Sequence, residues 1–275
     1  MLLVVDIGNT NIVAGLFRGD EITEIGRVYT DVHRTGDEYG IIFRSLLREI
    51  GMPPHEITRS ALSSVVPALT GPFTGMIKKL TGRKPLLVNH TIYDMLPIKT
   101  PAARAREIGA DLVCNAVAAF TRFKGACIVV DFGTALTFTC IGKDGRILGC
   151  AIAPGLGTAV NALSANAAQL SIVPLEAPPS SLGADTVQAI QSGIVLGYKG
   201  LVEFLLARMK TDMTDAEGGR TDDITVIATG GLNSVLQPIT GAFRYIDKQL
   251  TLHGLKIISD TVLGLQGAAD GTDDV

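Results

Sequence analysis

The stretch Leu3-Val4-Val5-Asp6-Ile7-Gly8-Asn9-Thr10-Asn11-Ile12-Val13 decides the fold of this chain. Its branched apolar residues predict a buried strand, which ends near the carboxylate of Asp6 and is followed by a turn before the apolar residues resume. Gly8 and Asn9 accept the backbone angles of a tight turn, so this order predicts a β-hairpin. The backbone N–H groups of such a turn, with the side chains of Thr10 and Asn11, form a concave donor surface that suits phosphate oxygens.

The chain repeats this pattern about half its length further on. The stretch Cys127-Ile128-Val129-Val130-Asp131-Phe132-Gly133-Thr134-Ala135-Leu136-Thr137-Phe138-Thr139 again runs from an apolar strand through an aspartate, a glycine and a threonine into a second strand. Two copies at this separation indicate a duplicated domain rather than a solenoid of short repeats. We therefore expect an α/β protein in which two like domains face one cleft, so that Asp6, Asp131 and both turns serve one Mg-nucleotide.

The patterns between and after the two repeats predict the domain boundaries. They indicate a mixed α/β domain over residues 1–122, a second one over 123–267, and an acidic, disordered tail over 268–275. Residues 91–106 contain several prolines and alanines and little periodicity, which predicts a surface loop.

A long apolar helix is predicted to start at Asp185 and to end before a polar loop at residues 212–223. Its middle carries Gly193, Gly197 and Gly200, each of which lowers the stability of a helix. Two explanations remain open for these glycines, because either a neighbouring helix or another subunit would have to approach that surface closely.

The composition argues against several classes of protein. At 275 residues the chain can bury one large core or two moderate ones, and its many glycines and few aromatic residues are typical of an α/β enzyme. A net charge of -3 with scattered basic residues argues against a nucleic-acid-binding protein. The cysteines lie in apolar segments without a Cys-x-x-Cys pair, which predicts reduced core residues of a cytoplasmic protein at Cys114, Cys127, Cys140 and Cys150.

The sequence predicts neither an export signal nor a membrane-spanning segment. Asp6 interrupts the first apolar run, and the basic region and cleavage site of a signal peptide are missing. Residues 147–175 carry no charge, but prolines, glycines and amide side chains leave no apolar segment there that is long enough to cross a membrane.

The chemistry available to this sequence is that of carboxylates and donor turns. It has no P-loop, no Gly-x-Gly-x-x-Gly after a strand, no nucleophile elbow and no His-Glu-x-x-His. Carboxylates and donor turns suit phosphoryl transfer, in which Mg²⁺ bridges phosphates and an aspartate orients the attacking hydroxyl. Asp111 lies early in a predicted helix, so it is either an acid stabilised by the helix dipole or a catalytic group. A strand ending in Gly230-Gly231 is either a simple strand-to-helix turn or, in a nucleotide-binding duplicated fold, a turn whose backbone lies against an adenine and its ribose.

Taken together, these motifs resemble the type III pantothenate kinase family, within the superfamily of acetate kinase, sugar kinases, Hsp70 and actin. The resemblance extends over nearly the whole chain. It rests on Asp6-Ile7-Gly8-Asn9-Thr10-Asn11, Asp37-Glu38-Tyr39-Gly40, Ser63-Ser64-Val65-Val66-Pro67, Gly109-Ala110-Asp111, Asn115-Ala116-Val117-Ala118-Ala119, Asp131-Phe132-Gly133-Thr134-Ala135, Pro154-Gly155, Ser192-Gly193, Gly197-Tyr198 and Ala228-Thr229-Gly230-Gly231-Leu232.

The resemblance implies two duplicated ribonuclease-H-like (actin-like ATPase) domains and ATP-dependent phosphorylation of pantothenate to 4'-phosphopantothenate, the first step of coenzyme A biosynthesis. It also implies Mg²⁺, a monovalent cation (K⁺ or NH₄⁺) and a homodimer, whose contact would account for the glycines of the long helix.

The resemblance assigns a role to each matching residue. Asp111 is implied as the proton acceptor, Asp131 as the ligand of the monovalent cation, and Asp6 as a Mg²⁺ contact through the phosphates. The residues implied to bind ATP are Asp6, Gly8, Asn9, Thr10, Asn11, Val13, Thr134, Gly230 and Gly231. Those implied to bind the acceptor substrate are Gly109, Ala110, Leu112 and Thr186.

Two departures from the family pattern lie on the acceptor side. The family has Gly-Ala-Asp-Arg where this chain has Leu112 in last place, and it has a tyrosine in the preceding loop where residues 99–106 have none. An aliphatic side chain does not replace a bidentate guanidinium, and Arg104 or Arg106 is a candidate source of that charge. Two alternatives therefore stand beside the first function: a paralogue that phosphorylates another small hydroxyl compound, and a catalytically weak nucleotide-binding regulator.

Overall fold

The computed structural model describes residues 1–167 and 169–270, with the backbone alone for residues 265–270. The chain divides into two compact units. The first contains Met1–Ala118 and the C-terminal segment that starts at Leu250, and the second is Ala119–Gln249.

The first unit is built on a five-stranded mixed sheet. Its strands follow the order β3-β2-β1-β4-β5, in which the pairs β1–β2 and β2–β3 are antiparallel and the pairs β1–β4 and β4–β5 are parallel. The elements in chain order are β1 (Leu2–Ile7), β2 (Asn11–Arg18), β3 (Glu21–Tyr29), α1 (Gly36–Glu49), β4 (Arg59–Ser64), α2 (Pro67–Thr81), β5 (Leu86–Leu87) and α3 (Ala110–Phe123), within which the division between the units falls.

The second unit has a sheet of the same topology. Read from one edge, its order is β8-β7-β6-β9-β10, again with two antiparallel pairs followed by two parallel ones. The elements are β6 (Cys127–Phe132), β7 (Ala135–Ile141), β8 (Ile147–Pro154), α4 (Leu156–Asn166), α5 (Thr186–Gln191), α6 (Gly197–Glu217), β9 (Thr225–Thr229), α7 (Asn233–Leu236) and β10 (Tyr245–Ile246). Strand β1 therefore corresponds to β6, and the predicted duplicated α/β fold is confirmed.

Strand β1 is buried on both faces, which explains its continuous run of apolar residues. Leu3, Val5 and Ile7 join a core that is completed by aromatic and aliphatic side chains of α1 and α2. Leu2 and Val4 point to the opposite face and are also buried. The last helix, α8 (Leu250–Asp270), packs against β1 and β4.

The position of α8 differs from the predicted domain ranges. The range 123–267 assigned this helix to the second domain, but it belongs to the first unit. The contact is close, because a Cβ at Gly254 would collide with the carbonyl group of Cys114 on α3. The helix is described as far as Asp270, and residues 271–275 of the predicted tail lie outside the described residues.

Two other segments also differ from the sequence-based expectations. Residues 91–106 form short 3₁₀ turns at Tyr93–Met95 and Ala102–Arg104, and the first turn buries Tyr93, so the segment is not simply a surface loop. The predicted polar loop at residues 212–223 is largely helical, since α6 ends at Glu217.

The helical stretch Thr186–Glu217 contains α5, a π-helical turn at Ser192–Leu196, and α6. Within the described residues it is one stretch whose length and apolar composition would suffice to cross a membrane. Core packing accounts for part of that composition, because Val195, Val202, Leu206 and Met213 are buried in the core of the second unit.

Candidate active site

The hairpin between β1 and β2 is held closed by three hydrogen bonds. The N–H of Gly8 donates to the carbonyl of Asn11 over 3.0 Å, and the N–H of Thr30 donates to the carbonyl of Thr10 over 2.9 Å. The Thr30 hydroxyl donates to the carbonyl of Gly8 over 2.7 Å. Asn9 at the tip is exposed, so the first turn is a fixed loop whose tip remains accessible to a ligand.

Asp6 lies near the end of β1, in the middle of the sheet. It stands opposite Val13 on the antiparallel strand β2 and opposite Ser63 on the parallel strand β4. Residues directly opposite one another on paired strands share a face of the sheet. The carboxylate of Asp6 is therefore on the same face as the buried hydroxyl of Ser63.

Asp111 is the second residue of α3, and local contacts orient its carboxylate. Its Oδ1 accepts the N–H of Leu112 over 2.7 Å. The same oxygen lies against the backbone of Gly109, where an added Cβ would be 2.5 Å away. Burial raises the pKa of Asp111, although the bonds from backbone N–H groups act in the opposite direction. A carboxylate with a raised pKa is a better proton acceptor than an ordinary aspartate.

The buried thiol of Cys114 lies near both Asp6 and Asp111. Cys114 is fully buried on α3, and burial raises the pKa of its thiol first, followed by the negative charges of Asp6 and Asp111. The nearby hydroxyl of Ser63 acts in the opposite direction on the same pKa. Both carboxylates are thus close enough to Cys114 to act on it, and the first unit brings together two acids that are far apart in sequence.

The turn between β6 and β7 is built differently. The N–H of Gly133 donates to the carbonyl of Ala135 over 3.1 Å. The carbonyl of Thr134 accepts the N–H of Gly155 over 2.9 Å and the hydroxyl of Thr158 over 2.7 Å. These bonds anchor the backbone of Thr134 to the segment that leads from β8 into α4.

The Gly230-Gly231 turn lies directly against Asp131. Gly230 has φ 84°, a left-handed conformation that favours glycine. A Cβ at this position would be 2.5 Å from Oδ1 of Asp131 and 2.6 Å from the N atom of Phe132. The second unit therefore brings Asp131 and the Gly-Gly turn together, with Asp131 opposite Thr229 on the parallel strand β9.

The acceptor-side residues lie in two parts of the chain. Gly109, Ala110 and Leu112 surround Asp111 at the start of α3 in the first unit. Thr186 is the first residue of α5 in the second unit, after the cap residue Asp185, whose carboxylate accepts the N–H of Gln188 over 2.8 Å.

Three buried residues of the first unit lie near these acids but are not among the predicted site residues. Ser63 lies opposite Asp6, the charge of Asp111 acts on Tyr93, and the charges of both acids act on Cys114, which the sequence predicts only as a core thiol. One signal was available for Cys114, since it follows Asp111 by three residues and shares its helix face. Ser63 belongs to the quoted Ser63-Ser64-Val65-Val66-Pro67 motif, but only strand pairing places it opposite Asp6. Packing places Tyr93, which no local sequence pattern shows.

A divalent cation at this site would have few protein ligands. Within the described part of the chain, no group of three or more histidine, cysteine, aspartate or glutamate side chains could hold a metal ion. The first unit offers the carboxylate of Asp6 near the end of β1. Mg²⁺ commonly binds one or two carboxylates together with substrate phosphates, so this donor set fits a cation held mainly by a nucleotide.

Comparison with known sequences gives a consistent family. A family model described as type III pantothenate kinase matches residues 2–208. The type III pantothenate kinase of Moorella thermoacetica is 44% identical over 258 residues, which cover 94% of this chain and 98% of that protein. The type III pantothenate kinase of Geobacter sulfurreducens is 41% identical over 258 residues, with the same coverage of 94% and 98%.

Comparison with solved structures supports the fold. A Baf family protein from Campylobacter jejuni has a TM-score of 0.56 at 18% identity, covering 95% of this chain and 99% of its own. The activator of 2-hydroxyisocaproyl-CoA dehydratase from Clostridium difficile, with bound ADPNP, has a TM-score of 0.52 at 11% identity, covering 100% and 97%. At these identities the likeness concerns the fold alone.

Proposed function

Because the chain belongs to the type III pantothenate kinase family, we infer that it transfers the γ-phosphoryl group of ATP to the terminal hydroxyl of pantothenate. The product is 4'-phosphopantothenate, in the first step of coenzyme A biosynthesis. The observation that carries this proposal is the pair of carboxylates in the first unit. The charges of Asp6 and Asp111 both raise the pKa of the Cys114 thiol, and burial raises the pKa of Asp111 itself. We propose a cytoplasmic enzyme.

Asp111 is the proton acceptor in this proposal. The N–H of Leu112 donates to its Oδ1 and so orients the carboxylate that receives the proton of the attacking hydroxyl. Burial raises its pKa, and a raised pKa strengthens proton acceptance late in phosphoryl transfer. The helix dipole remains compatible with this role, because an acid in the first turn of α3 is stabilised when it is ionised.

The first turn binds the nucleotide phosphates. The backbone from Gly8 to Asn11 is held in one conformation by its hydrogen bonds, so its donors need no reorganisation when phosphate arrives. Val13 lies opposite Asp6 on the paired strand β2 of the hairpin. Mg²⁺ neutralises charge on the phosphates when it is bound, and Asp6 is its protein contact.

The second turn holds the remaining nucleotide contacts and the monovalent cation. Asp131 is the cation ligand, supported by the close backbone of Gly230. Thr134 contacts ATP from a backbone that two hydrogen bonds anchor. Gly230 and Gly231 lie beside the adenosine part, where side chains would exclude it.

The acceptor substrate is bound by the residues around Asp111 and by Thr186. Gly109 and Ala110 offer backbone next to the carboxylate, and Leu112 adds an aliphatic surface beside it. Leu112 in place of the family's arginine keeps a second candidate function in view, a kinase for another small hydroxyl compound.

A coupled assay of ADP release tests the substrate. With ATP, Mg²⁺ and K⁺, we expect turnover that depends on added pantothenate, and mass spectrometry should find 4'-phosphopantothenate. Turnover with another hydroxyl compound and none with pantothenate would favour the paralogue. Tight ATP binding without turnover on any acceptor would favour the regulator.

The protein is proposed to be a homodimer. A Cβ added at Gly193, Gly197 or Gly200 would meet nothing within 4 Å among the described residues outside the helix itself. The explanation by a neighbouring helix of the same chain therefore has no support, and a second subunit is the remaining explanation. Phe204 is 70% exposed on the same helical stretch, as expected for an apolar contact surface.

Gly197→Leu tests the dimer. The side chain has open space within the chain, so the fold should persist while light scattering reports the mass of a monomer. Gly75→Leu on α2 is the matched control, since Gly75 is also a helical glycine with nothing within 4 Å, and it should stay dimeric. A wild-type monomer, or an unchanged dimer in Gly197→Leu, would contradict this interface.

A further inference from the structure

Tyr93 is a buried residue that the mechanism above does not use. It starts the 3₁₀ turn Tyr93–Met95 and is only 3% exposed. Its hydroxyl donates to the carbonyl of Ile108 over 3.4 Å, a long bond that joins the turn to the residues just before α3. A buried tyrosine with its hydroxyl aimed at a backbone carbonyl acts on that backbone as well as filling space.

The phenol of Tyr93 is also close enough to Cys114 and Asp111 for their charges to act on it. Burial is the main cause that raises the pKa of Tyr93, followed by the charges of Cys114 and Asp111. The hydroxyl therefore remains protonated and serves as a neutral donor throughout the physiological pH range. Tyr93, Cys114 and Asp111 form one cluster of polar groups inside the first unit.

The carbonyl that Tyr93 contacts lies directly before the segment that shapes the Asp111 site. Ile108 precedes Gly109, whose backbone touches Oδ1 of Asp111. The carbonyl of Gly109 in turn accepts the N–H of Val113 over 3.2 Å, in the first turn of α3. A shift of Ile108 would therefore move the surface against which the carboxylate rests.

We propose that Tyr93 is a positioning residue for phosphoryl transfer, whose hydroxyl holds the Ile108–Gly109 backbone from which the Asp111 carboxylate is presented to the acceptor hydroxyl. This rests on the role of Asp111 in the proposed function. Tyr93 does not touch the reacting atoms, and it acts through Asp111. Small displacements of a catalytic group are sufficient to slow a reaction, because the reacting atoms must be close and aligned.

Tyr93→Phe tests this role, since it removes the hydroxyl and keeps the ring. We expect kcat to fall about 10-fold while the KM for ATP stays unchanged, because the nucleotide contacts lie elsewhere. The surroundings of Asp111 become less polar without the hydroxyl, so its pKa should rise further. The acid limb of the kcat profile should therefore move to higher pH.

Tyr39→Phe is the matched control. Tyr39 is also fully buried in the first unit, and its hydroxyl accepts the N–H of Asp31 and donates to the carbonyl of Asp31, both over 2.9 Å. Both variants should lower Tm, whereas Tyr39→Phe should keep the wild-type kcat and acid limb. A Tyr93→Phe enzyme that loses Tm but retains the wild-type kcat and acid limb would overturn the proposal.

A second measurement separates this proposal from the proposed function. Carbon-13 NMR of labelled aspartate reports the pKa of Asp111 without any reaction, with Asp111→Asn used to assign its signal. A higher pKa of Asp111 in Tyr93→Phe supports the positioning role even if pantothenate is not the acceptor. An unchanged pKa rejects that role even if pantothenate phosphorylation is found.

Discussion

The two Asp-containing turns share a topology but differ in what surrounds the carboxylate. Asp6 and Asp131 occupy the same place in matching sheets, each paired in parallel with a hydroxyl residue, Ser63 and Thr229. Asp6 has a second acid nearby across the thiol of Cys114. Asp131 has instead a glycine backbone pressed against its Oδ1.

The different surroundings of Asp6 and Asp131 suit different functions in the two duplicated units. Two acids near one point in the first unit suit a cation on phosphates and a proton acceptor, which together make a reaction centre. A carboxylate clamped by backbone suits a fixed ligand site with little freedom to move. From the same starting hairpin, we therefore propose catalysis for the first unit and ligand binding for the second.

Substitution of Asp111, the second acid near the hairpin of the first unit, should have the largest effect on turnover. Asp111→Asn should lower kcat by about 10²- to 10⁴-fold, the usual contribution of general acid–base catalysis, with little change in ATP affinity. Turnover in a coupled assay and calorimetric titration with a non-hydrolysable ATP analogue measure the two quantities. Unchanged turnover would show that Asp111 is a structural acid of α3.

The same variant has a predicted effect on stability with a definite sign. Burial raises the folded-state pKa of Asp111 above its ordinary value of 3.8, so folding favours the protonated form. Any stability gained from that protonation is present below the unfolded pKa and is lost as pH rises through the folded pKa. Asp111→Asn should therefore raise Tm at pH 7, and the gain should shrink as pH falls towards 3.8.

Matched substitutions of the two hairpin aspartates should separate their functions. Asp6→Asn should weaken binding of the Mg-nucleotide about 10- to 100-fold, as expected for loss of one charged contact. Asp131→Asn should instead raise the K⁺ concentration needed for half-maximal turnover by a similar factor. Asp222→Asn, whose side chain is 82% exposed, is the control and should change neither quantity. Identical behaviour of both hairpin variants would remove the proposed division of roles.

The smallest expected effect concerns the glycines at the two turns. Gly230→Ala combines a left-handed φ of 84° with a collision at Asp131 and should cost about 2 kcal/mol or more of unfolding free energy. Gly8→Ala meets the carbonyl of Asn11 at 3.0 Å without that strain and should cost about 1 kcal/mol. Chemical denaturation measures both. Gly241→Ala, with nothing within 4 Å, should cost none, and equal losses at Gly230 and Gly8 would mean that the two turns are equally constrained.

Local patterns in the sequence were sufficient for much of this fold. The apolar runs before Asp6 and Asp131 and the turn residues after them predicted matching hairpins, because strand alternation and turn angles depend on neighbouring residues. The repeat of that pattern then predicted the duplication, which the two sheet orders confirm.

Only the tertiary structure decided which distant residues meet. Gly254 packs on Cys114, Tyr93 reaches Ile108, and Gly230 presses on Asp131, although each pair except the second is about a hundred residues or more apart in sequence. Such contacts depend on strand register and helix packing, which no local window of sequence contains. For this reason the sequence by itself determined the two hairpins and their acids, while packing decided that Asp111 would join Asp6 and that α8 would complete the first unit.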